Sequence, residues 1–99
     1  MTVLMNQDGS KLTVSVEGRL DTSTSPKLEA ELRSAVNGIT ELEFNLEKLD
    51  YISSAGLRVL LAALKVMNRQ GVMKVRNVSP DIMEIFGITG FDDILNIEM

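Results

Sequence analysis

Residues 49–71, LDYISSAGLRVLLAALKVMNRQG, constrain the fold of this chain more than any other stretch. The stretch begins as the end of a strand, turns at two adjacent serines and continues as the most apolar helix of the sequence. A serine at such a turn favours a helix N-cap, because its hydroxyl accepts a hydrogen bond from a backbone N–H that the first helical turn leaves free. We therefore expect Ser54 to cap a long, largely buried helix that ends at Gly71.

Hydrophobic patterns on both sides of this helix predict the element order β β α β α β α β. Residues 12–16 alternate apolar and polar side chains after a turn at residues 7–9, which is typical of a hairpin. Residues 28–36 carry apolar side chains at helical spacing, and residues 42–47 alternate again. Because the polar side chains of this third strand all point to one side, we expect a mixed sheet with helices on one face and water on the other.

The composition excludes several classes of function. The 99 residues contain neither cysteine nor histidine, so disulfides, thiolate metal sites and Ser-His-Asp catalysis are impossible. A net charge of −4 without a basic cluster argues against a nucleic-acid surface, which needs Lys and Arg gathered on one face. No signal-peptide pattern or membrane-length apolar run is present. We expect one cytoplasmic domain over residues 1–99 that is not an enzyme, with no metal, cofactor, nucleic acid or membrane bound.

The helix after the serines is apolar on more than one side. The arc expected to face the core carries Leu57, Leu60, Leu61, Leu64 and Met67. The opposite arc carries Ala55, Val59, Ala62 and Val66. Two interpretations of this second arc remain open: it packs against neighbouring helices, or it forms a smooth apolar surface for a partner. The two interpretations are compatible if, on this arc, only residues 55–59 stay exposed to solvent.

The serine turn is the best candidate for a chemical switch. A phosphate on Ser54 would lie at the positive end of the helix dipole, an interaction of roughly 0.3–2 kcal/mol. It would add about 1.5 to 2 negative charges to an acidic surface, with Asp21 and Asp50 expected nearby. A protein partner that fits the uncharged turn would then bind tenfold more weakly for each ~1.4 kcal/mol of penalty. The local sequence alone favours Ser54 as a structural cap and Asp21 as a turn former.

Three separated blocks carry a family likeness. The blocks are GRLD at residues 18–21, ELEFNLEKLDYISSAGLRVLLAA at 41–63 and NVSPDIMEIFGITGFDDIL at 77–95. Together they resemble the bacterial anti-sigma factor antagonists of the STAS domain family. The resemblance implies the STAS fold, a mixed four- to five-stranded sheet with helices packed on one face. It also implies partner switching. The unphosphorylated antagonist binds an anti-sigma factor that is also a serine kinase and so releases the sigma factor. The kinase uses ATP to phosphorylate a helix-cap serine of the antagonist, and a metal-dependent serine phosphatase reverses this.

Carried over by position, the resemblance places the phosphoacceptor at Ser54. Many family members have aspartate immediately before the acceptor and serine or threonine after it, where this chain has Ser53 and Ala55. Ser53 is therefore an alternative acceptor. The residues expected to contact the partner are Asp21, Thr22, Ser53, Ala55, Gly56, Arg58 and Val59.

Two other functions remain open at this point. One is a ligand-sensing STAS module that binds a nucleotide or an anion at the same helix N-terminus without being phosphorylated. The other is a constitutive scaffold subunit of a signalling complex, in which the serine is only a cap.

Overall fold

The computed structural model describes residues 1–98, and Met99 lies outside the described residues. The elements in chain order are β1 (Thr2–Asp8), β2 (Lys11–Leu20), α1 (Ser25–Ala35), β3 (Glu41–Asn45), β4 (Leu49–Ile52), α2 (Ser54–Gln70), β5 (Val72–Arg76), α3 (Pro80–Thr89), a 3-10 turn (Phe91–Asp93) and β6 (Ile97–Glu98). Within these residues no helix has the length and apolar character needed to cross a membrane.

The strands form one mixed sheet in the order β1-β2-β3-β5-β6, with β4 paired to the far end of β2. The hairpin of β1 and β2 is antiparallel, and the remaining pairs are parallel. The expected fold class, a mixed α/β sheet with the predicted helices, is confirmed. The described residues hold six strands instead of four or five, because the segment before the serines forms a strand of its own.

That extra strand exists because β2 is longer than the hairpin requires. The last three residues of β2, Gly18 to Leu20, pair with β4, and the register shifts between Gly18 and Arg19. Gly18 has φ +87°, a left-handed conformation that glycine adopts without the steric penalty of a Cβ. Its N–H donates to the carbonyl of Lys48 at 2.9 Å. Gly18 therefore bends β2 and does not end it.

The core lies between one face of the sheet and the helices. Along β2, buried Leu12, Val14 and Val16 alternate with partly exposed polar side chains. The other face of the sheet is polar: the carboxylate of Glu43 lies 3.2 Å from Arg76 Nε and 3.8 Å from Lys11 Nζ. The expected separation of an apolar face from a polar face is therefore present.

Helix α2 fits into this core with close contacts at both of its ends. A Cβ built on Gly56 would lie 2.7 Å from Ile52 Cγ1 and 2.9 Å from Leu20 Cγ. A Cβ on Gly71, which caps the helix as expected, would overlap the backbone of Thr40. Of the arc expected to face the core, Leu57, Leu60 and Met67 are buried, whereas Leu61 and Leu64 are half-buried. Glycine at both ends thus allows α2 to lie directly against the backbone beside it.

Candidate functional site

The two segments singled out in the sequence emerge side by side at one edge of the sheet. Leu20 and Ile52 are paired at the ends of β2 and β4, and the N–H of Ser53 donates to the carbonyl of Leu20 at 2.9 Å. Asp21 directly follows Leu20, and the serines directly follow Ile52. The structure therefore places the GRLD block next to the beginning of α2.

The N-cap of α2 is Ser53, so the prediction that Ser54 caps the helix is wrong. Ser53 has an extended backbone (φ −93°, ψ 176°), and its hydroxyl accepts a hydrogen bond from the N–H of Gly56 at 3.4 Å. Its carbonyl accepts the first helical hydrogen bond, from Leu57 N–H at 2.9 Å. An extended residue that begins the hydrogen-bond series defines an N-cap. Two adjacent serines satisfy the same sequence pattern, and only the backbone dihedral angles distinguish them.

Ser54 is the first residue of α2 and is exposed to solvent. Within residues 1–98, no hydrogen bond engages its hydroxyl, whereas the Ser53 hydroxyl is half-buried and bonded to Gly56. The backbone N–H groups of the first helical turn have no partner within the helix, and they lie at the positive end of the helix dipole. Ser54 thus presents a free hydroxyl where a negative charge is favoured.

Asp21 organises the loop that leads from β2 into α1. Its Oδ1 accepts hydrogen bonds from the Ser23 hydroxyl at 2.8 Å, from Ser23 N–H at 3.0 Å and from Thr24 N–H at 3.2 Å. The bond from the Ser23 hydroxyl is the main cause of a lowered Asp21 pKa; the backbone N–H groups add to it, and desolvation opposes it. Asp21 is therefore a charged turn former, and the adjacent Thr22 is exposed.

A basic and an aromatic side chain flank the site on the second-last residues of the paired strands. Arg19 and Tyr51 are register partners of β2 and β4, and the guanidinium carbon of Arg19 lies 4.4 Å from the centroid of the Tyr51 ring. This distance is typical of a cation–π contact. Arg19 Nε also lies 3.7 Å from Asp21 Oδ2. This pair was not predicted from the sequence, because the contact depends on strand β4 and its pairing with β2.

The first turns of α2 are less exposed than expected. Val59 is only 4% exposed, because its side chain lies in the groove between α1 and α2 together with Leu32 and Val36. The prediction that Val59 stays exposed is therefore wrong, and the packing interpretation is correct for this residue. Val66, further along the same arc, is 40% exposed.

The remaining expected contact residues differ in how much surface they offer. Gly56 is buried against β2 and β4, so it fixes the position of the helix and presents no side chain. Ala55 is half-buried, and Arg58, one helical turn beyond Ser54, is exposed. Of the expected site residues, Thr22, Ser54 and Arg58 are therefore exposed, and Asp21, Ser53 and Ala55 are half-buried.

The side chains at this turn are hydroxyl, carboxylate and guanidinium groups, and several of them are exposed. Among the described residues, no group of three or more acidic side chains is arranged to hold a metal ion. The apolar groove between α1 and α2 is lined by side chains of those two helices and does not include either serine. What the serine turn offers is one free hydroxyl, one bonded hydroxyl and a charged loop beside them.

Comparison with known proteins identifies the family. A family model described as STAS domain matches residues 2–99. The chain belongs to the STAS domain family. The resemblance of its three sequence blocks to this family is therefore confirmed over almost the whole chain.

Two relatives cover nearly the full length of this STAS domain. The Bordetella bronchiseptica protein BtrV is 34% identical over 99 residues, which is 98% of this chain and 85% of BtrV. The anti-sigma-B factor antagonist of Bacillus subtilis is 29% identical over 98 residues, which is 98% of this chain and 90% of that protein.

Solved structures share the fold of this STAS domain. An anti-sigma factor antagonist from Mycobacterium paratuberculosis is 25% identical with a TM-score of 0.87, over 97% of this chain and 83% of that one. The anti-sigma factor antagonist SpoIIAA in its unphosphorylated form is 17% identical with a TM-score of 0.79, over 99% of this chain and 88% of SpoIIAA. Its phosphorylated form has a TM-score of 0.77 at 18% identity, over 99% of this chain and 92% of SpoIIAA. At these lower identities the SpoIIAA likeness is one of fold.

Proposed function

We propose that this STAS domain is an anti-sigma factor antagonist that binds an anti-sigma factor and thereby releases a sigma factor. The Bacillus subtilis relative, which is named an anti-sigma-B factor antagonist and is matched over 90% of its length, supports this role. The serine turn and the Asp21 loop support a protein partner, since they lie side by side and both carry exposed side chains, Ser54 and Thr22. In this role the chain acts by binding and carries out no catalysis itself.

The proposed switch is phosphorylation of Ser54 by an anti-sigma factor that is also a serine kinase and uses ATP. One observation carries this assignment: the Ser54 hydroxyl is exposed and free, whereas the Ser53 hydroxyl is bonded to the N–H of Gly56. Ser53 is half-buried and its hydroxyl oxygen already accepts the cap hydrogen bond, so a kinase reaches it less readily than the exposed hydroxyl of Ser54. Modification of Ser54 leaves the cap in place. The argument for Ser54 therefore rests on its accessibility and not on capping.

The helix N-terminus explains how a phosphate at Ser54 is compatible with the fold. The phosphate would meet the positive end of the helix dipole and free backbone N–H groups, an interaction of roughly 0.3–2 kcal/mol in favour of the folded state. The phosphorylated SpoIIAA structure, which has this fold, is an example of a phosphorylated form. Modification therefore leaves α2 in place and acts on the surface.

The effect on the partner is electrostatic. A phosphate adds about 1.5 to 2 negative charges to a surface that already carries the charged Asp21. A partner that packs against neutral Ser54 and Ala55 would have to desolvate that charge, and each ~1.4 kcal/mol of penalty weakens binding tenfold. The other proposed contacts are Thr22, Arg58 and the half-buried edge of Ser53. Removal of the phosphate by a metal-dependent serine phosphatase would restore binding.

Phosphopeptide mapping after incubation with a cognate kinase and ATP tests the site. We expect phosphate on Ser54 in the wild type and in Ser53→Ala, and none in Ser54→Ala. Ser79→Ala is a matched control, because Ser79 caps α3 with the same geometry, its hydroxyl accepting from Ile82 N–H at 3.3 Å. Phosphate on Ser53 in place of Ser54 would move the site by one residue, and phosphate only on residues other than these two serines would contradict a switch at this turn.

Binding measurements test the switch itself. Titration calorimetry with the kinase should give similar affinities for the wild type and Ser54→Ala, and at least tenfold weaker binding for Ser54→Asp. Equal affinities for the two variants would contradict the charge mechanism. Titration of the isolated chain with nucleotides and inorganic phosphate separates this function from the ligand-sensing alternative, which requires tight binding of a small molecule.

A further inference from the structure

Strand β1 leaves one of its edges unpaired. All seven of its residues pair with β2, from Thr2 opposite Glu17 to Asp8 opposite Lys11, without a register shift. Within residues 1–98, no strand lies on the other side of β1. Such an edge presents a row of backbone N–H and C=O groups that another extended chain can pair with.

The usual protections of an edge strand are missing from β1. Proteins protect such edges with lysine, proline, bulges or very short strands, and β1 has seven residues with neither lysine nor proline. Its single charged side chain is Asp8 at one end. Leu4 and Met5 are 55% and 37% exposed, and alternation places them on opposite faces of the sheet. Each face of this edge therefore carries an exposed apolar side chain among polar neighbours.

The helix side of β1 offers space for the side chains of an added strand. A shallow groove runs between this strand and α1, lined by Val3, Met5, Ala30, Glu31, Ser34 and Ala35. Three of the four residues that α1 contributes are alanine or serine, so the wall of the groove is low. An added strand would use both the unpaired edge of β1 and this groove. Its main chain would form hydrogen bonds with the edge, and alternate side chains would fill the groove.

We propose that the β1 edge pairs antiparallel with β1 of a second copy of this chain. Pairing centred on Met5 uses all seven residues and places Met5 opposite Met5, and Asp8 opposite Thr2. No like charges then face each other, and the two Met5 side chains meet on the helix side of the combined sheet. Such a two-fold contact uses the same patch twice and closes on itself, so it forms dimers and not fibres.

The affinity expected for this dimer follows from the area of its interface. Seven paired residues bury much less surface than the roughly 1,600 Å² of a standard stable interface. We therefore expect a weak, concentration-dependent dimer with a dissociation constant above about 10 μM. Because β1 contributes no residue to the serine site, this inference is independent of the proposed partner switch.

Sedimentation velocity on the full chain, from about 10 μM to about 1 mM, tests the dimer. The wild type should shift towards twice the monomer mass as the concentration rises. Met5→Lys and Met5→Glu should each remain monomeric, because each places like charges directly opposite at the centre of the pairing. An equimolar mixture of the two variants should associate again, since lysine then faces glutamate.

Ile88→Lys is the matched control, because Ile88 is 78% exposed on α3, away from the strand. This variant should dimerise like the wild type. Far-UV circular dichroism verifies that the Met5 variants fold. If Met5→Lys does not, the double variant Leu4→Lys/Asn6→Lys replaces it, because Leu4 lies opposite Asn6 in this pairing and the change again places like charges opposite each other. A monomeric wild type, an undiminished dimer in Met5→Lys, or no association in the mixture would each overturn the proposal. A monomeric wild type is also the result expected if the edge serves a different protein.

Discussion

The hydroxyl of Ser53 accepts a hydrogen bond from the N–H of Gly56 at 3.4 Å. This contact closes the first turn of α2 and leaves the hydroxyl of the next residue, Ser54, free. Ser53 therefore stabilises the start of the helix, and Ser54 is the proposed phosphoacceptor. Because the two roles belong to different side chains, single substitutions can separate them.

Replacement of Ser53 by alanine removes the cap of α2. Loss of a serine cap typically costs about 0.5–2 kcal/mol in the free energy of unfolding. Ser53→Asp should retain most of that stability, because aspartate is an equally good cap. Urea denaturation measures both variants, with Ser54→Ala as the control expected to change stability by less than Ser53→Ala. A larger loss in Ser54→Ala than in Ser53→Ala would reverse the assignment of the cap.

Replacement of Gly56 by alanine tests the close contact between α2 and the strand ends. The added Cβ would lie 2.7 Å from Ile52 Cγ1 and 3.0 Å from the carbonyl oxygen of Leu20. Overpacking of this kind typically costs about 1–3 kcal/mol. We expect Gly56→Ala to lower the free energy of unfolding by that amount and to weaken partner binding through displacement of the serine turn.

Gly87 on α3 provides the matched comparison for Gly56. It also lies within a helix, but a Cβ there would meet nothing closer than Asp92 Oδ2 at 3.8 Å. Since alanine favours a helix over glycine by up to about 1 kcal/mol, Gly87→Ala should be neutral or stabilising. Equal destabilisation of both variants in urea denaturation would show that the contact with Ile52 is not the cause.

The hydrogen bonds at Asp21 predict a pH dependence of stability. They lower the pKa of the folded carboxylate below its usual value, so its contribution to stability is present above the unfolded pKa of about 3.9 and is lost as the pH falls through the lower folded pKa. Asp21→Asn should therefore be less stable than the wild type at pH 7, and this difference should narrow below about pH 4. Thermal unfolding at pH 7 and pH 3 measures it, and a constant difference would exclude the carboxylate charge as the cause.

The contact between Arg19 and Tyr51 predicts a measurable coupling across β2 and β4. A cation–π pair at an exposed site contributes about 0.5–1 kcal/mol. A double-mutant cycle with Arg19→Ala and Tyr51→Leu should recover a coupling of that size in urea denaturation. The same cycle with Arg58→Ala in place of Arg19→Ala serves as the comparison, and equal coupling in both cycles would show that the effect is not specific to the pair.

The features that local periodicity determines could be predicted from the sequence, and those that depend on tertiary pairing could not. Residues 12–16 and 42–47 alternate, and the three helices keep their spacing, so the hairpin, β3 and the helices were recognisable. Strand β4 has four residues with only its ends buried, which gives no alternation, and its partner lies beyond the bend at Gly18. The burial of Val59 likewise depends on α1 crossing that side of α2. The serine turn and Asp21 could be singled out because they lie in the sequence blocks that resemble the family. Which of the two serines caps the helix depends on the backbone dihedral angles of Ser53, and the sequence does not show these.

Replacement of Ser54 by aspartate should change stability and binding in opposite directions. A negative charge in the first turn of a helix interacts favourably with its dipole by about 0.3–1 kcal/mol at an exposed position, so Ser54→Asp should be slightly more stable than Ser54→Asn, which has the same shape without the charge. The same charge should weaken binding to the kinase at least tenfold relative to Ser54→Asn, because the partner must desolvate it. Urea denaturation and titration calorimetry measure the two effects on the same protein samples. A loss of stability in Ser54→Asp that accompanies the loss of binding would indicate that the charge disrupts α2, and not that it blocks a surface that stays folded.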